Sequence, residues 1–347
     1  MREEPAAQDP NRFEAMTALE LHRQSIVWDQ HGCLPLSSDA SVSPLRRYLT
    51  AGVSFASINI GMDSTSSALS LEVLDSFRRQ IKERPELYLL ASSVDDVRQA
   101  HASKRLAVAF DLEGTEPLDG DLDMVETYHS LGVRTMLIAY NQANRAGGGC
   151  HGDQTIGLTD YGKAVVAEMN RVGKLVDATH CSYRTTMDLF ETSTAPVVFS
   201  HAVPMGVKHH PRNVSDEQMK ACAATGGVIG INGVSLFLGE PARGPASAEA
   251  VFRAVDYVAT LVGPRHVGLG LDYVFDQDEM DQALRDKPET FPADGEYLSG
   301  MSFTAPELLP ELTRSMLAAG YGEDTVKAIL GENFLRVVGA VWPDSAG

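Results

Sequence analysis

The sequence predicts an α/β protein folded as one (β/α)8 TIM barrel, and three observations carry that expectation. Short β-branched runs alternate with amphipathic helical stretches almost from end to end. No long linker or composition break divides the series. Polar, chemistry-bearing residues recur at the C-terminal tips of the strand patterns, the rim where parallel α/β folds collect their functional groups. A doubly wound open sheet is the architectural alternative, since alternation alone leaves strand order open.

Taken in order, the strand patterns are Ser25–Asp29, Val53–Ile60, Leu106–Leu112, Val133–Tyr140, Leu175–Thr179, Pro196–Ser200, Gly227–Asn232 and Val267–Leu271. Between them the helical stretches are Leu71–Arg84, Val94–His101, Asp123–Ser130, Thr159–Val172, Tyr183–Thr192, Ser215–Ala224 and Ala246–Val262. Thr159 is placed to cap its helix and Gly173 to end it. Ser215-Asp216-Glu217-Gln218 is a capping-box pattern, and Gly226-Gly227 closes the helix it opens. Two segments interrupt the repeat: Asn144–Gly157, rich in glycine, and Phe275–Phe303, rich in Asp, Gly and Pro. Both read as long loops at the functional end. Pro306–Val341 reads as two or three closing helices. Residues 1–24 form an N-terminal extension with helical character, and 25–347 the barrel with its C-terminal helices.

The formal net charge of −18 argues against nucleic acid or an anionic membrane as partner. With 44% hydrophobic and 22% charged residues, the chain has an ordinary globular composition. Cys33, Cys150, Cys181 and Cys222 are widely spaced with no C-x-x-C pair, which fits neither a zinc finger nor a disulfide framework. No apolar run has signal-peptide or membrane-spanning length, so a reduced, cytoplasmic protein is expected.

The strand tips present His31 and Cys33, Glu113, Tyr140 and Asn141, His180, His201, Asn232, and Asp272. His180 and His201 end consecutive strand patterns, separated by 21 residues and the helix Tyr183–Thr192. Two imidazoles delivered to one rim suit a shared metal ion, and neutral imidazole is a standard zinc donor. His31 and Cys33, two apart on a strand, can face one cation. Each residue also has a plainer reading. A histidine at a strand end can be a hydrogen-bonded structural residue, Glu113 a salt-bridged carboxylate and Asp272 a helix cap. Their joint occurrence at one end favours a metal site.

The same residues carry a family resemblance. Trp28-Asp29-Gln30-His31, Leu112-Glu113-Gly114, Val176-Asp177-Ala178-Thr179-His180, Val198-Phe199-Ser200-His201, Arg212-Asn213-Val214-Ser215-Asp216 and Val267-Gly268-Leu269-Gly270-Leu271-Asp272 resemble the membrane (renal) dipeptidase family, in order from about Ile26 to Val338. The resemblance implies a metal-dependent hydrolase barrel with two zinc ions. It implies that His31 binds the first ion, Glu113 bridges both, and His180 with His201 binds the second. Asp272 would be the catalytic acid/base and Arg212 the anchor for a substrate carboxylate. The implied reaction is hydrolysis of dipeptides with a free C-terminal carboxylate, possible D-residues there included, through a metal-bridging hydroxide. A homodimer is the family's implied assembly.

Two positions depart from the family pattern. His31-Gly32-Cys33 stands where the family has His-x-Asp, so Cys33 is a zinc ligand, a neighbour of the metal that does not bind it, or a small buried residue. Tyr140-Asn141 stands where better-known members place a substrate-contacting histidine; Tyr140 is either an oxyanion donor or a packing aromatic. Substrate identity is therefore less defined than the hydrolytic chemistry. Other expectations are hydrolysis of a different amide or a lactone, and a metal-poor relative that binds or matures a peptide-like metabolite.

Overall fold

Every strand pattern read from the sequence forms a strand, and the strands lie parallel in one closed sheet. In a computed structural model that describes residues 10–342 except residue 245, they are β1 (Trp28–Cys33), β2 (Phe55–Met62), β3 (Tyr88–Leu90), β4 (Leu106–Glu113), β5 (Val133–Leu137), β6 (Leu175–Asp177), β7 (Val197–Ala202), β8 (Ile229–Ile231), β9 (Val267–Leu269) and β10 (Tyr273–Val274). Residues 1–9 of the expected N-terminal extension, and residues 343–347, lie outside the described residues.

Hydrogen bonding follows the order β10-β1-β2-β4-β5-β6-β7-β8-β9. Gly270–Asp272 alone separates β9 from β10, so the two ends of this path are adjacent in the chain. One strand, broken in the middle, thus closes the barrel by pairing β9 with β8 and β10 with β1. An open sheet is excluded. β3, absent from the sequence reading, lies off this circuit and pairs with the start of β4 at Leu106–Val108.

Helix boundaries follow the capping chemistry. Thr159 Oγ1 accepts from Gly162 N at 3.0 Å, and Gly173 takes the left-handed conformation (φ 77°) that ends Asp160–Val172. Ser215 and Gln218 form the expected capping box on Asp216–Ala224. The first strand is displaced from its expected position: Ser25 Oγ donates to Leu21 O at 2.7 Å, ending the helix Pro10–Gln24, and β1 begins at Trp28. His31 and Cys33 are therefore on the strand rather than beyond it. The segment after β10 contains the helix Gln277–Asp286, capped by Asp276, where the sequence suggested loop. Three helices, Leu309–Ala318, Glu323–Lys327 and Asn333–Val341, close the chain, the last two joined by a π-helical turn.

Apart from β3 and β10, the strands are buried on both faces along almost their whole length, as a barrel wrapped by helices requires. At the N-terminal end Trp28 stacks on Phe55 at 3.6 Å and packs against Phe334. The opposite end carries the polar residues. Among the described residues no helix is long and apolar enough to cross a membrane.

Candidate metal centre

The site grows out of strand ends. On β4, Asp111 and Glu113 are two apart and project to one face. β1 carries a bulge against β2 between Asp29 and Gly32, which re-aims His31. Gly32 leaves room for the Tyr48 hydroxyl, which a Cβ there would strike. His201 lies within β7, while His180 and Asp272 lie just beyond β6 and β9. His180 (φ 64°), Asp272 (φ 55°) and Asn141 (φ 60°) all adopt left-handed backbone. That conformation costs energy for residues with a Cβ and persists where surrounding contacts impose it, commonly at functional sites.

The donor atoms converge on Glu113. Its Oε1 lies 3.4 Å from His31 Nε2, 3.4 Å from His180 Nε2 and 3.5 Å from His201 Nε2. The two latter nitrogens are 3.0 Å apart. Cys33 Sγ is 3.4 Å from His31 Nε2 and 3.8 Å from Asp272 Oδ1. Two overlapping ligand groups result, His31–Glu113–His201 and His31–Cys33–Asp272.

The far nitrogen of each imidazole is held. His31 Nδ1 faces Asp111 Oδ1 at 3.1 Å, and Asp111 also accepts from Ser57 Oγ at 2.6 Å and Asn59 Nδ2 at 3.2 Å. His180 Nδ1 lies 2.6 Å from Asn141 Oδ1, while Asn141 Nδ2 donates to Thr290 O at 3.0 Å. That second bond fixes the amide, so His180 Nδ1 is the donor and Nε2 keeps its lone pair toward the centre. His201 Nδ1 pairs with Ser200 Oγ at 2.7 Å. Such outer partners orient metal-ligating histidines.

Electrostatics favour a cation here. Burial lifts the Glu113 carboxyl to about 8 against the pull of His31, and burial also raises Asp272. The Cys33 thiol is pushed up to about 12 by burial, so it keeps its proton unless a cation displaces it. His180 and His201 are driven well below the ordinary histidine value, first by burial and then by neighbouring cationic groups. Burial opposes charge on His31 as well, yet Asp111, Cys33 and Glu113 together raise it well above that value. His180 and His201 already offer neutral imidazoles. A divalent cation would displace the protons that burial and crowding hold on Glu113 and His31, which makes a donor set that zinc fits.

Tyr140 lies with its ring over His180, centroids 4.2 Å apart. Asn141, expected as a substrate contact, lines the cavity at the centre, and its buried amide links His180 to Thr290. Asp272 Oδ2 accepts from Asn232 Nδ2 at 3.0 Å. Arg212 is 2% exposed, donates from Nη2 to His201 O at 3.0 Å, and has a buried Nε without a hydrogen-bond partner.

Two residues escaped the sequence reading. Asp111 was visible through its spacing from Glu113. Asp63 directly follows β2, so the strand-tip rule reaches it too. Its carboxylate accepts from Tyr140 N at 2.8 Å, Asn144 Nδ2 at 2.9 Å and Glu116 N at 3.0 Å, while its own N–H donates to Glu113 O at 3.0 Å. Asp63 thereby ties three strand ends together around the centre.

The chain is similar to known proteins in sequence and in fold. Residues 18–287 match the sequence pattern of the membrane dipeptidase family, peptidase family M19. Dipeptidase aclJ of Aspergillus oryzae is 30% identical over 284 residues, covering 78% of this chain and 61% of that protein. The match thus spans about three fifths of that relative's length. An amidohydrolase from Pseudomonas aeruginosa superposes with a TM-score of 0.85 at 26% identity, covering 94% of this chain and 99% of that one. A metallo peptidase from Rhodobacter sphaeroides, liganded with a phosphinate mimic of the dipeptide L-Ala-D-Ala, has a TM-score of 0.72 over 92% of this chain and 100% of that one; at 21% identity it speaks for the fold alone. The chain belongs to the membrane dipeptidase family, peptidase family M19.

Proposed function

We propose that this chain is a zinc-dependent dipeptidase acting on dipeptides with a free C-terminal carboxylate, of L or D configuration. The observation that carries the reading is the convergence of His31, His180 and His201 Nε2 on one Glu113 oxygen. In this reading His31 and Cys33 hold the first ion, His180 and His201 the second, and Glu113 both. Zinc held there supplies Lewis acidity to the scissile carbonyl and lowers the pKa of a bound water.

The chain's own residues do the rest. Asp272, held by Asn232, takes the proton of the attacking water and returns it to the leaving amine. Tyr140 is kept protonated, its phenol raised well above the ordinary value by burial and then by Glu113 and Asp272. It can donate to the oxygen of the tetrahedral intermediate. Arg212 presents a planar guanidinium to the substrate carboxylate.

Metal analysis of protein purified without chelator, with a panel of L,L- and L,D-dipeptides, tests the proposal. About two zinc per chain with dipeptide turnover is expected. Near-zero metal with no turnover favours the metal-poor binder, and turnover of other amides or lactones alone favours the second hydrolase reading. Cys33 has its own test. The Cys33 thiol, pushed up to about 12 by burial, must shed its proton to ligate, and a thiolate makes a bound water less acidic than a carboxylate does. Cys33→Asp is therefore expected to raise zinc affinity of the first site by about tenfold or to raise the rate at neutral pH. Unchanged metal content together with an unchanged rate would remove Cys33 from the ligand set.

A further inference from the structure

Two cavities meet at His180. One, of about 290 Å³, is lined by Arg212 together with Cys150, Met205 and Gln218. The other, of about 280 Å³, runs along Cys33, Glu113 and Asp272 on the side of the first metal position. Its walls are mostly apolar: Met62 at the end of β2, Leu69 from the following helix, Met280 from the helix Gln277–Asp286, and Phe291, Met301 and Phe303 from the segment beyond it. Away from the metal centre, its charged members stand at the edge. Asp276 and Glu279 are exposed, and Lys287 Nζ is tied to Ser64 Oγ at 3.1 Å.

We propose that this second chamber receives the side chain of the substrate's N-terminal residue and selects large apolar residues there. The proposal rests on the dipeptidase reading and adds the substrate class. With the C-terminal carboxylate at Arg212 and the scissile carbonyl at the centre, the acyl side of the bond faces Cys33 and Asp272, and hence this chamber. A cavity of roughly 150 Å³ already holds benzene, so about 280 Å³ accommodates a phenylalanyl, leucyl or methionyl side chain. A small side chain would leave the apolar wall against water, and discrimination by apolar contact grows about tenfold or more for each methylene gained. Met62, Met280 and Met301 make the wall adaptable, so aliphatic and aromatic residues are both accepted.

The test uses zinc-loaded protein and dipeptides sharing one C-terminal residue, with Gly, Ala, Leu or Phe at the N-terminus. Leu and Phe are expected to exceed Gly by at least about 100-fold in kcat/KM. Calorimetry with phosphinate dipeptide analogues reads binding without turnover, and the Phe analogue is expected to bind at least about tenfold tighter than the Ala analogue. Ala283→Trp, which pushes an indole into the chamber from the helix Gln277–Asp286, should lower the Phe-to-Ala ratio by at least about tenfold. Equal binding of the two analogues, or equal turnover across the panel, overturns the proposal. Preferential binding of the Phe analogue without turnover of any dipeptide leaves the chamber's selectivity standing and overturns the dipeptidase reading instead.

Discussion

Glu113→Gln is expected to abolish dipeptide hydrolysis, lowering kcat/KM by about three orders of magnitude or more, while the chain stays folded. Among the described residues Glu113 is the one carboxylate whose oxygen lies within 3.5 Å of all three Nε2 atoms, so its replacement would remove the anion that the proposed centre shares between both metal positions. Zinc content measured after gel filtration should fall with activity. The thermal signature separates this from simple misfolding. Adding zinc should raise the Tm of the parent protein by mass action, and that gain should vanish in the variant. In metal-free protein the sign reverses. The Glu113 carboxyl titrates at about 8, above its ordinary 4.5, because burial disfavours its charge. Its contribution to stability is therefore full below pH 4.5 and is lost as pH rises through 8. Glutamine carries no such charge, so metal-free Glu113→Gln should show a flatter fall in Tm over that window. A variant that keeps two zinc ions and its zinc-dependent Tm gain would remove Glu113 from the centre.

Arg212→Ala should raise KM for dipeptides by about 10–100-fold, the range for losing a charge-assisted hydrogen bond, with a smaller change in kcat. Arg212 is almost fully buried, one Nη2 bond goes to His201 O, and the buried Nε lacks a hydrogen-bond partner. A buried donor without a partner is costly, and a substrate carboxylate would relieve that cost. Because the same side chain braces the His201 backbone, KM alone would not isolate the anchor. Dipeptide amides supply the control: the parent protein should lose about as much on the amide as the variant loses on the acid. The variant should treat acid and amide alike. A variant that still prefers the free acid to the same degree would place the anchor elsewhere.

Much of the barrel was legible because its information is local. Alternating strand and helix periods, the Thr159 and Ser215 caps and Gly173 each act over a few residues, and the structure follows them closely. The strand-tip residues His31, Glu113, His180, His201 and Asp272 were visible for the same reason, since a strand tip can be found without knowing its neighbours. Signals weakened where local patterns are short. β3 has three residues, and the helix Gln277–Asp286 has one fully buried apolar residue, Leu284.

By itself, the sequence determined the repeating β/α architecture, the inventory of donors at one rim and the anomaly at Cys33. Tertiary structure decided which donors share a metal. His31 and Asp272 lie far apart in the chain, and their 3.7 Å approach exists because β10 pairs with β1 and closes the barrel. It also set Asn141, His180 and Asp272 in left-handed backbone, a conformation that local preference disfavours and long-range packing sustains. The role of Asn141 followed from that same packing, since its amide meets Thr290 only through the segment beyond β10. Local propensity chooses elements, but a site's geometry depends on contacts between residues distant in sequence, and those belong to the folded chain.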